Sequence, residues 1–315
     1  MDNVDQVLNR MFTGQMSKTL IYVSGPTGIG KTSLSIDLAK KLKTEIISCD
    51  SRQFYKELKI GTSPPTEKQL KEVNHHFIFN KSIIDNYNVG DYEKDSIDVI
   101  NNLFKTREYL ILVGGSGLYA DSILFGIDSI PKVPIEIKNK LNLKFKKNGL
   151  IYLQDKLKEI DLEYYKMVDL NNPRRLIRAI GVYEVSGKKI SSLRKNSKKK
   201  RNFNSAVIMI KTKRDKLYER INQRVDKMVK DGLEEEAKGL VKFKEYNALN
   251  TVGYKEYFSY FDGKLSKEEA INKIKQNTRN FAKRQITWFK KYDDALEYKI
   301  DDNIDELLNK IPKNE

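Results

Sequence analysis

Residues Gly25 to Thr32 read GPTGIGKT and satisfy the pattern G-x-x-x-x-G-K-S/T at every defined position. A segment of this kind demands a strand, a glycine-rich turn and a helix in succession. Backbone N–H groups converge on phosphate oxygens only where glycines let the turn curl and a helix N-terminus follows it. The flanks agree: TLIYVS, Thr19 to Ser24, is a short apolar β-prone run, and LSIDLAKKL after the motif carries apolar residues at helical spacing. In that geometry Gly25, Pro26, Thr27, Gly28, Ile29 and Gly30 form a phosphate cradle, Lys31 bridges phosphates and Thr32 offers its hydroxyl to Mg²⁺.

Two more buried-strand candidates follow, Glu45 to Cys49 and Tyr109 to Val113, and Ala206 to Ile210 returns the chain to the same sheet. Strands alternating with helices predict an α/β fold, a P-loop NTPase-like parallel sheet with flanking helices. From about Asp128 the character changes: Pro131 and Pro134 punctuate a loop, and Lys-rich and Leu-rich helical stretches run to about Phe203. Within them Asn172 is a good N-cap, Pro173 a good first helical residue and Gly187 a good stop, which predicts a helix over Pro173 to Ser186. The expected organisation is an extension at 1–15, with Met16 an alternative start, a catalytic core of 16–127 and 204–312 ending in helices, and a basic helical insertion domain at 128–203.

The motif does not say whether phosphate is transferred or leaves. Most such loops work with a carboxylate at a strand end that holds Mg²⁺ or water. Here Tyr109 to Val113 runs into Gly114-Gly115-Ser116-Gly117 with no acid, which disfavours an ATP-driven motor, whereas the strand Glu45 to Cys49 ends at Asp50. A carboxylate there faces the ligand edge of an α/β sheet and is either a general base or a Mg²⁺ or helix-capping group.

A net charge of +16 over 315 residues points to a polyanionic partner or to evenly solvated lysine faces. Clustering favours nucleic acid. Lys188 to Arg201 holds KK, RK and KKKR without an acid, and Ile271 to Lys291 also lacks acids while interleaving Phe281, Trp288 and Phe289 with basic residues. Arg279, Lys283 and Arg284 are read as RNA contacts, Lys198 to Arg201 as a phosphate-binding run, and Trp288 and Phe289 as core. Cys49 is the single cysteine, which suits a reducing compartment and excludes an intramolecular disulfide. With only His75 and His76 beside it, a structural zinc site is disfavoured. With no secretory start and no apolar run near the roughly 20 residues of a bilayer span, a cytoplasmic monomer without a membrane partner is expected.

Taken in order, GPTGIGKT, IISCDSRQFYKELKIGT, LVGGSGLYADSILFG, NNPRRLIRAIGVYEVSGK, NTVGYKE and TRNFAKRQITWFKK resemble the tRNA dimethylallyltransferase (tRNA isopentenyltransferase) family across Ser17 to Asp293. The resemblance implies transfer of a dimethylallyl group from dimethylallyl diphosphate to the exocyclic amine of the adenine beside the anticodon's 3′ end, with tRNA bound through its anticodon stem-loop. It makes Asp50 the base. Ser116, where the family commonly has threonine, becomes a diphosphate donor, and Arg224 a second diphosphate contact, with Arg220 one helical turn earlier left open between such a contact and a solvated residue. It places tRNA against Asp50, Ser51, Arg52 and Gln53, against Lys138, against Arg174, Arg175, Leu176, Ile177 and Arg178, and against Asn250, Thr251, Val252, Gly253, Tyr254 and Lys255. Ser51 and Gln53 would read the edge of a flipped adenine. The competing readings are a transferase acting on free adenine nucleotides, a nucleotide kinase or ATPase, and an RNA-binding protein with a vestigial phosphate loop.

Overall fold

The computed structural model describes residues 18–195 and 198–311. The extension at 1–15 and the alternative start at Met16 lie outside them. Six parallel strands form one sheet: β1 (Thr19–Ser24), β2 (Ile46–Ser48), β3 (His75–His76), β4 (Tyr109–Val113), β5 (Asn204–Lys211) and β6 (Leu296–Lys299), in the order β3-β2-β4-β1-β5-β6. β1 is buried along its whole length, as a central parallel strand with helices on both faces must be. The chain leaves β1 toward β2 on one side and later crosses to β5 on the other. The crevice at the carboxyl ends of β1 and β4 is therefore the topological switch point where α/β sheets bind ligands. β3 and β6 were not anticipated. One is two residues long and the other, LEYK, is half polar, so neither carries the apolar run that marks a central strand.

Contacts divide the chain into two units, Met1–Leu124 with Arg201–Glu315, and Phe125–Lys200. In the first, helices α1 (Lys31–Lys41), α2 (Glu67–Glu72), α3 (Val89–Leu103) and α4 (Gly117–Leu124) link the strands up to the second unit. The chain α5 (Ile135–Ile160), α6 (Leu162–Met167), α7 (Pro173–Ser186) and α8 (Ile190–Leu193) makes up the second. Back in the first unit come α9 (Arg214–Lys230), α10 (Leu233–Gly239), α11 (Tyr254–Phe261), α12 (Lys267–Phe289) and α13 (Ile304–Lys310). Leu34 and Leu38 of α1 pack on Ile21, Val23 and Ile111 of the sheet, and Leu217 and Ile221 of α9 join the same core.

The second unit has a core of its own around Leu141, Leu153, Leu157 and Ile180. α7 has the predicted ends: the Asn172 side chain accepts the Arg175 N–H at 3.3 Å, and Gly187 closes the helix at φ 66°. Two of the residues assigned to tRNA, Leu176 and Ile177, are buried in this core, because they occupy the apolar face of α7. Arg174, Arg175 and Arg178 occupy its exposed face, and Lys138 is exposed in the first turn of α5. The basic run also divides. Lys198 sits over the Phe125 ring at 4.9 Å and the Lys199 N–H donates to the Phe125 carbonyl at 2.8 Å. Arg201, by contrast, is an internal residue of the first unit. Its side chain is 13% exposed and donates to the Glu93 carboxylate at 2.8 Å and to the carbonyls of Ser122 and Ile123. No helix among the described residues is long and apolar enough to cross a membrane.

Glu236 of α10 organises a loop that the site depends on. Its carboxylate accepts the N–H groups of Lys59 and Ile60 at 2.8 Å and of Gly61 at 3.0 Å, and the Tyr254 hydroxyl at 2.6 Å. The Tyr254 ring fills the space where a Cβ on Gly61 would sit, 2.6 Å away. Glu236→Ala orphans four donors at once, and such a loss costs about 2–4 kcal/mol. Urea unfolding should show the midpoint shifting accordingly, and a shift within about 0.5 kcal/mol would show that the loop is held by other contacts.

Candidate active site

Three turns meet at the carboxyl edge of the sheet: the phosphate loop after β1, Asp50 to Gln53 after β2, and Gly114 to Gly117 after β4. The first closes onto α1 through Gly30, whose φ of 106° lets the loop curl into the helix. The Lys31 ammonium folds back and donates to the carbonyls of Gly25 and Pro26, each at 2.9 Å. Burial pushes that ammonium down to about 8, with the Asp50 carboxylate opposing the shift and Arg224 adding to it.

The second and third turns are latched together. Ser116 Oγ accepts the Ser51 N–H at 3.0 Å and lies 3.0 Å from Ser51 Oγ. A Cβ on Gly114 would meet the Asp50 nitrogen and the Cys49 carbonyl carbon at 2.7 Å, so only glycine permits this approach. Asp50 Oδ1 accepts the Arg52 N–H at 3.1 Å, which turns the carboxylate back over its own loop. Cys49 is fully buried, and burial followed by the Asp50 charge holds its thiol far above the usual range.

α9 closes the other side. Arg224 donates to the Thr62 carbonyl at 3.2 Å; burial lowers its guanidinium and the Asp50 charge opposes that. Gln53 Nε2 reaches the carbonyls of Thr62 and Ser63 at 3.3 and 3.2 Å. Arg220, left open between a diphosphate contact and a solvated residue, is exposed and at the same time donates to the Ile29 carbonyl at 3.3 Å.

A cavity of about 400 Å³ is bounded by the phosphate loop, Lys31, Thr32, Asp50, Arg220 and Arg224. Beside it a smaller cavity of about 100 Å³ shares Thr27, Asp50, Arg224 and Phe281 but adds the apolar groups of Met228, Val252 and Ile274. A groove of about 470 Å³ runs past Asp50, Ser51, Ser116, Asn250, Arg284 and Trp288. Asp50 is a wall of all three.

The remaining assigned residues separate by environment. Thr251, Val252 and Lys255 line the groove, whereas Gly253 and Tyr254 are buried and the Tyr254 hydroxyl is held by Glu236. Lys283 and Arg284 are exposed; Arg279 is half-buried and donates to Asn222 at 2.7 Å. Phe289 is core, but Trp288 is not: it is 40% exposed, because one edge of its indole covers Gly117 while the other faces the groove. Sequence reasoning missed His75, which lines the main cavity with an imidazole pushed down by burial, and Gln285. Gln285 interrupts the buried stripe of Ala282 and Phe289 on α12, and a lone amide on an apolar helix face was the signal available.

A family model described as IPP transferase matches residues 53–292. The chain is 50% identical over 296 residues to a tRNA dimethylallyltransferase of Christiangramia forsetii, covering 94% of this chain and 98% of that protein. To a tRNA dimethylallyltransferase of Flavobacterium psychrophilum it is 48% identical over 299 residues, 92% and 97% of the two chains. Among solved structures, a tRNA isopentenylpyrophosphate transferase from Bacillus halodurans matches with a TM-score of 0.67 at 34% identity, covering 94% of each chain. A eukaryotic dimethylallyltransferase acting on tRNA matches with a TM-score of 0.75 at 25% identity, covering 90% of this chain and 74% of that one. The phosphate loop, the sheet that presents it and these likenesses over nearly the whole length agree: the chain belongs to the IPP transferase family, whose fold is P-loop NTPase-like.

Proposed function

We propose that the chain is a tRNA dimethylallyltransferase, moving the dimethylallyl group of dimethylallyl diphosphate onto the exocyclic amine of the adenine 3′-adjacent to the anticodon and releasing pyrophosphate. The observation that carries this reading is the position of Asp50. One carboxylate borders the phosphate-loop cavity, the apolar side cavity and the open groove, where donor and acceptor would have to meet.

In this reading the backbone of Gly25 to Thr32, with Lys31 and Arg224, holds the diphosphate and stabilises its charge as the carbon–oxygen bond breaks. Met228, Val252, Ile274 and Phe281 shield the prenyl group from water. The adenine nitrogen forms the new bond to carbon, its proton passes to Asp50, and pyrophosphate departs with the electron pair. Ser116, now bound to Ser51, turns its hydroxyl to the diphosphate. Thr32 suits Mg²⁺, and the described residues include no group of three or more His, Cys, Asp or Glu that would hold an ion alone. The ion would therefore take most of its ligands from the diphosphate and water and would neutralise leaving-group charge.

The adenine must be flipped to reach Asp50. Gln53, committed through its amide nitrogen to Thr62 and Ser63, keeps its amide oxygen for a base edge. Lys255, Arg284 and the exposed edge of Trp288 offer charge and a stacking face along the groove. The second unit serves as the tRNA-binding insertion through Lys138, Arg174, Arg175 and Arg178.

The direct test incubates the protein and dimethylallyl diphosphate with unmodified tRNA and, in parallel, with AMP. One pyrophosphate released per prenylated tRNA is expected; prenylation of AMP alone, or release of inorganic phosphate, overturns the reading. Asp50→Asn should lower kcat by about 10²-fold or more while both dissociation constants hold, the mark of an interaction made only in the transition state. A Mg²⁺-dependent defect in binding a non-hydrolysable prenyl diphosphate analogue would instead make Asp50 a metal-organising group.

Because burial pushes the Lys31 ammonium down to about 8, and a bound diphosphate draws it back up, binding takes up a proton above that pH. Analogue affinity should stay level below pH 8 and then fall by up to about tenfold per pH unit. Calorimetry in buffers of different ionisation heat checks this, and level affinity up to pH 10 contradicts it.

Replacing Lys198, Lys199 and Lys200 together by Ala, with Arg201 kept for its internal role, should reduce the slope of log tRNA affinity against log salt by about 2. An unchanged slope shows that the run lies off the RNA path.

A further inference from the structure

Gln285 lies on α12 with its side chain 5% exposed, and both ends of its amide are engaged. Oε1 accepts the Thr27 N–H at 2.8 Å, and Nε2 donates to the Gly115 carbonyl at 2.8 Å. Those partners sit in two different turns, one after β1 and one after β4. An uncharged amide presents a fixed acceptor and a fixed donor on one planar end, so it sets the spacing of the two peptides it joins. The region is crowded: a Cβ on Gly115 would lie 2.3 Å from Gln285 Nε2 and 3.8 Å from Lys31 Nζ. Gly115 immediately precedes Ser116, whose hydroxyl is latched to Ser51, so a rotated Gly115 peptide would carry Ser116 with it.

We propose that Gln285 is a positioning residue for the transfer reaction, holding the phosphate loop and the Gly114–Gly117 turn at the separation at which Lys31 and Ser116 engage the same diphosphate. This rests on the reading that a prenyl diphosphate binds between those turns. The residue acts through Thr27 and Gly115 and touches no reacting atom.

Two variants of the full chain test it. Gln285→Met keeps the length and burial but removes both hydrogen bonds. It should fold, with an unfolding temperature lowered by a few degrees for the two unpaired peptide groups, and bind tRNA as the wild type does. Its kcat/KM for dimethylallyl diphosphate should fall about tenfold or more, since misplacing one preorganised electrostatic contact has effects of that order. Gln285→Glu discriminates further. As a carboxylate it still accepts from Thr27 but has no proton for Gly115; as a carboxylic acid it has one. The ratio of its kcat/KM to that of the wild type should therefore rise as pH falls from 8 to 6.

A ratio flat with pH overturns the proposal even if Gln285→Met fails to fold. A folded Gln285→Met with wild-type kcat/KM overturns it as well. If the wild type does not prenylate tRNA, the functional reading falls by itself, and affinity for inorganic pyrophosphate still tests the tie. Weaker binding by a folded Gln285→Met supports it and equal binding refutes it.

Discussion

The register between β1 and β4 is the constraint on which the site rests. Thr19 lies opposite Tyr109 and Val23 opposite Val113, so both strands end at the same height and the chain leaves them side by side. A slip of one residue would reverse the faces of every side chain in β4 and carry the turn at Gly114 away from the phosphate loop. β2 pairs with the other edge of β4, which brings Asp50 to the same level. Four buried aliphatic residues, Leu20, Ile21, Leu110 and Ile111, keep that register, and none of them has any chemistry of its own.

What sits above the sheet is an arrangement of charges that restrain one another. Lys31, Arg224 and Asp50 share a partly buried volume in which removing any one changes the field at the other two. With Arg220 and Lys227 also lining the cavity, four cations face one carboxylate there, an imbalance suited to a ligand bringing several negative charges. In the proposed reaction the same imbalance favours departure of pyrophosphate while sparing Asp50 for the acceptor.

Much of this was legible because it is local. The phosphate loop declares itself through glycine spacing, and α7 through Asn172, Pro173 and Gly187, each acting within one turn of helix. Residues whose role depends on distant partners were not legible. Arg201 ends a basic run but finds Glu93 and two carbonyls in another part of the chain, so charge pattern alone placed it on the surface. Leu176 and Ile177 were swept in with neighbouring arginines although the helical period sets them inward. Trp288 looked like core because large aromatics usually are; its neighbour Phe289 took the inward position and Gly117 left room for only one edge of the indole. Arg220 and Gln285 reach the phosphate loop from helices whose docking no local signal records.

The ammonium of Lys31 rests on the carbonyls of Gly25 and Pro26. A ligand must therefore displace acceptors already in place, and it gains only the difference between its own oxygens and two peptide carbonyls. A prenyl alcohol, with one neutral oxygen, offers no advantage over them and leaves the lysine where it is. A diphosphate brings full negative charge on several oxygens and wins the exchange. Under the proposed reaction these two carbonyls set a threshold that a diphosphate clears and an uncharged isoprenoid does not, before any shape of the prenyl pocket has been consulted.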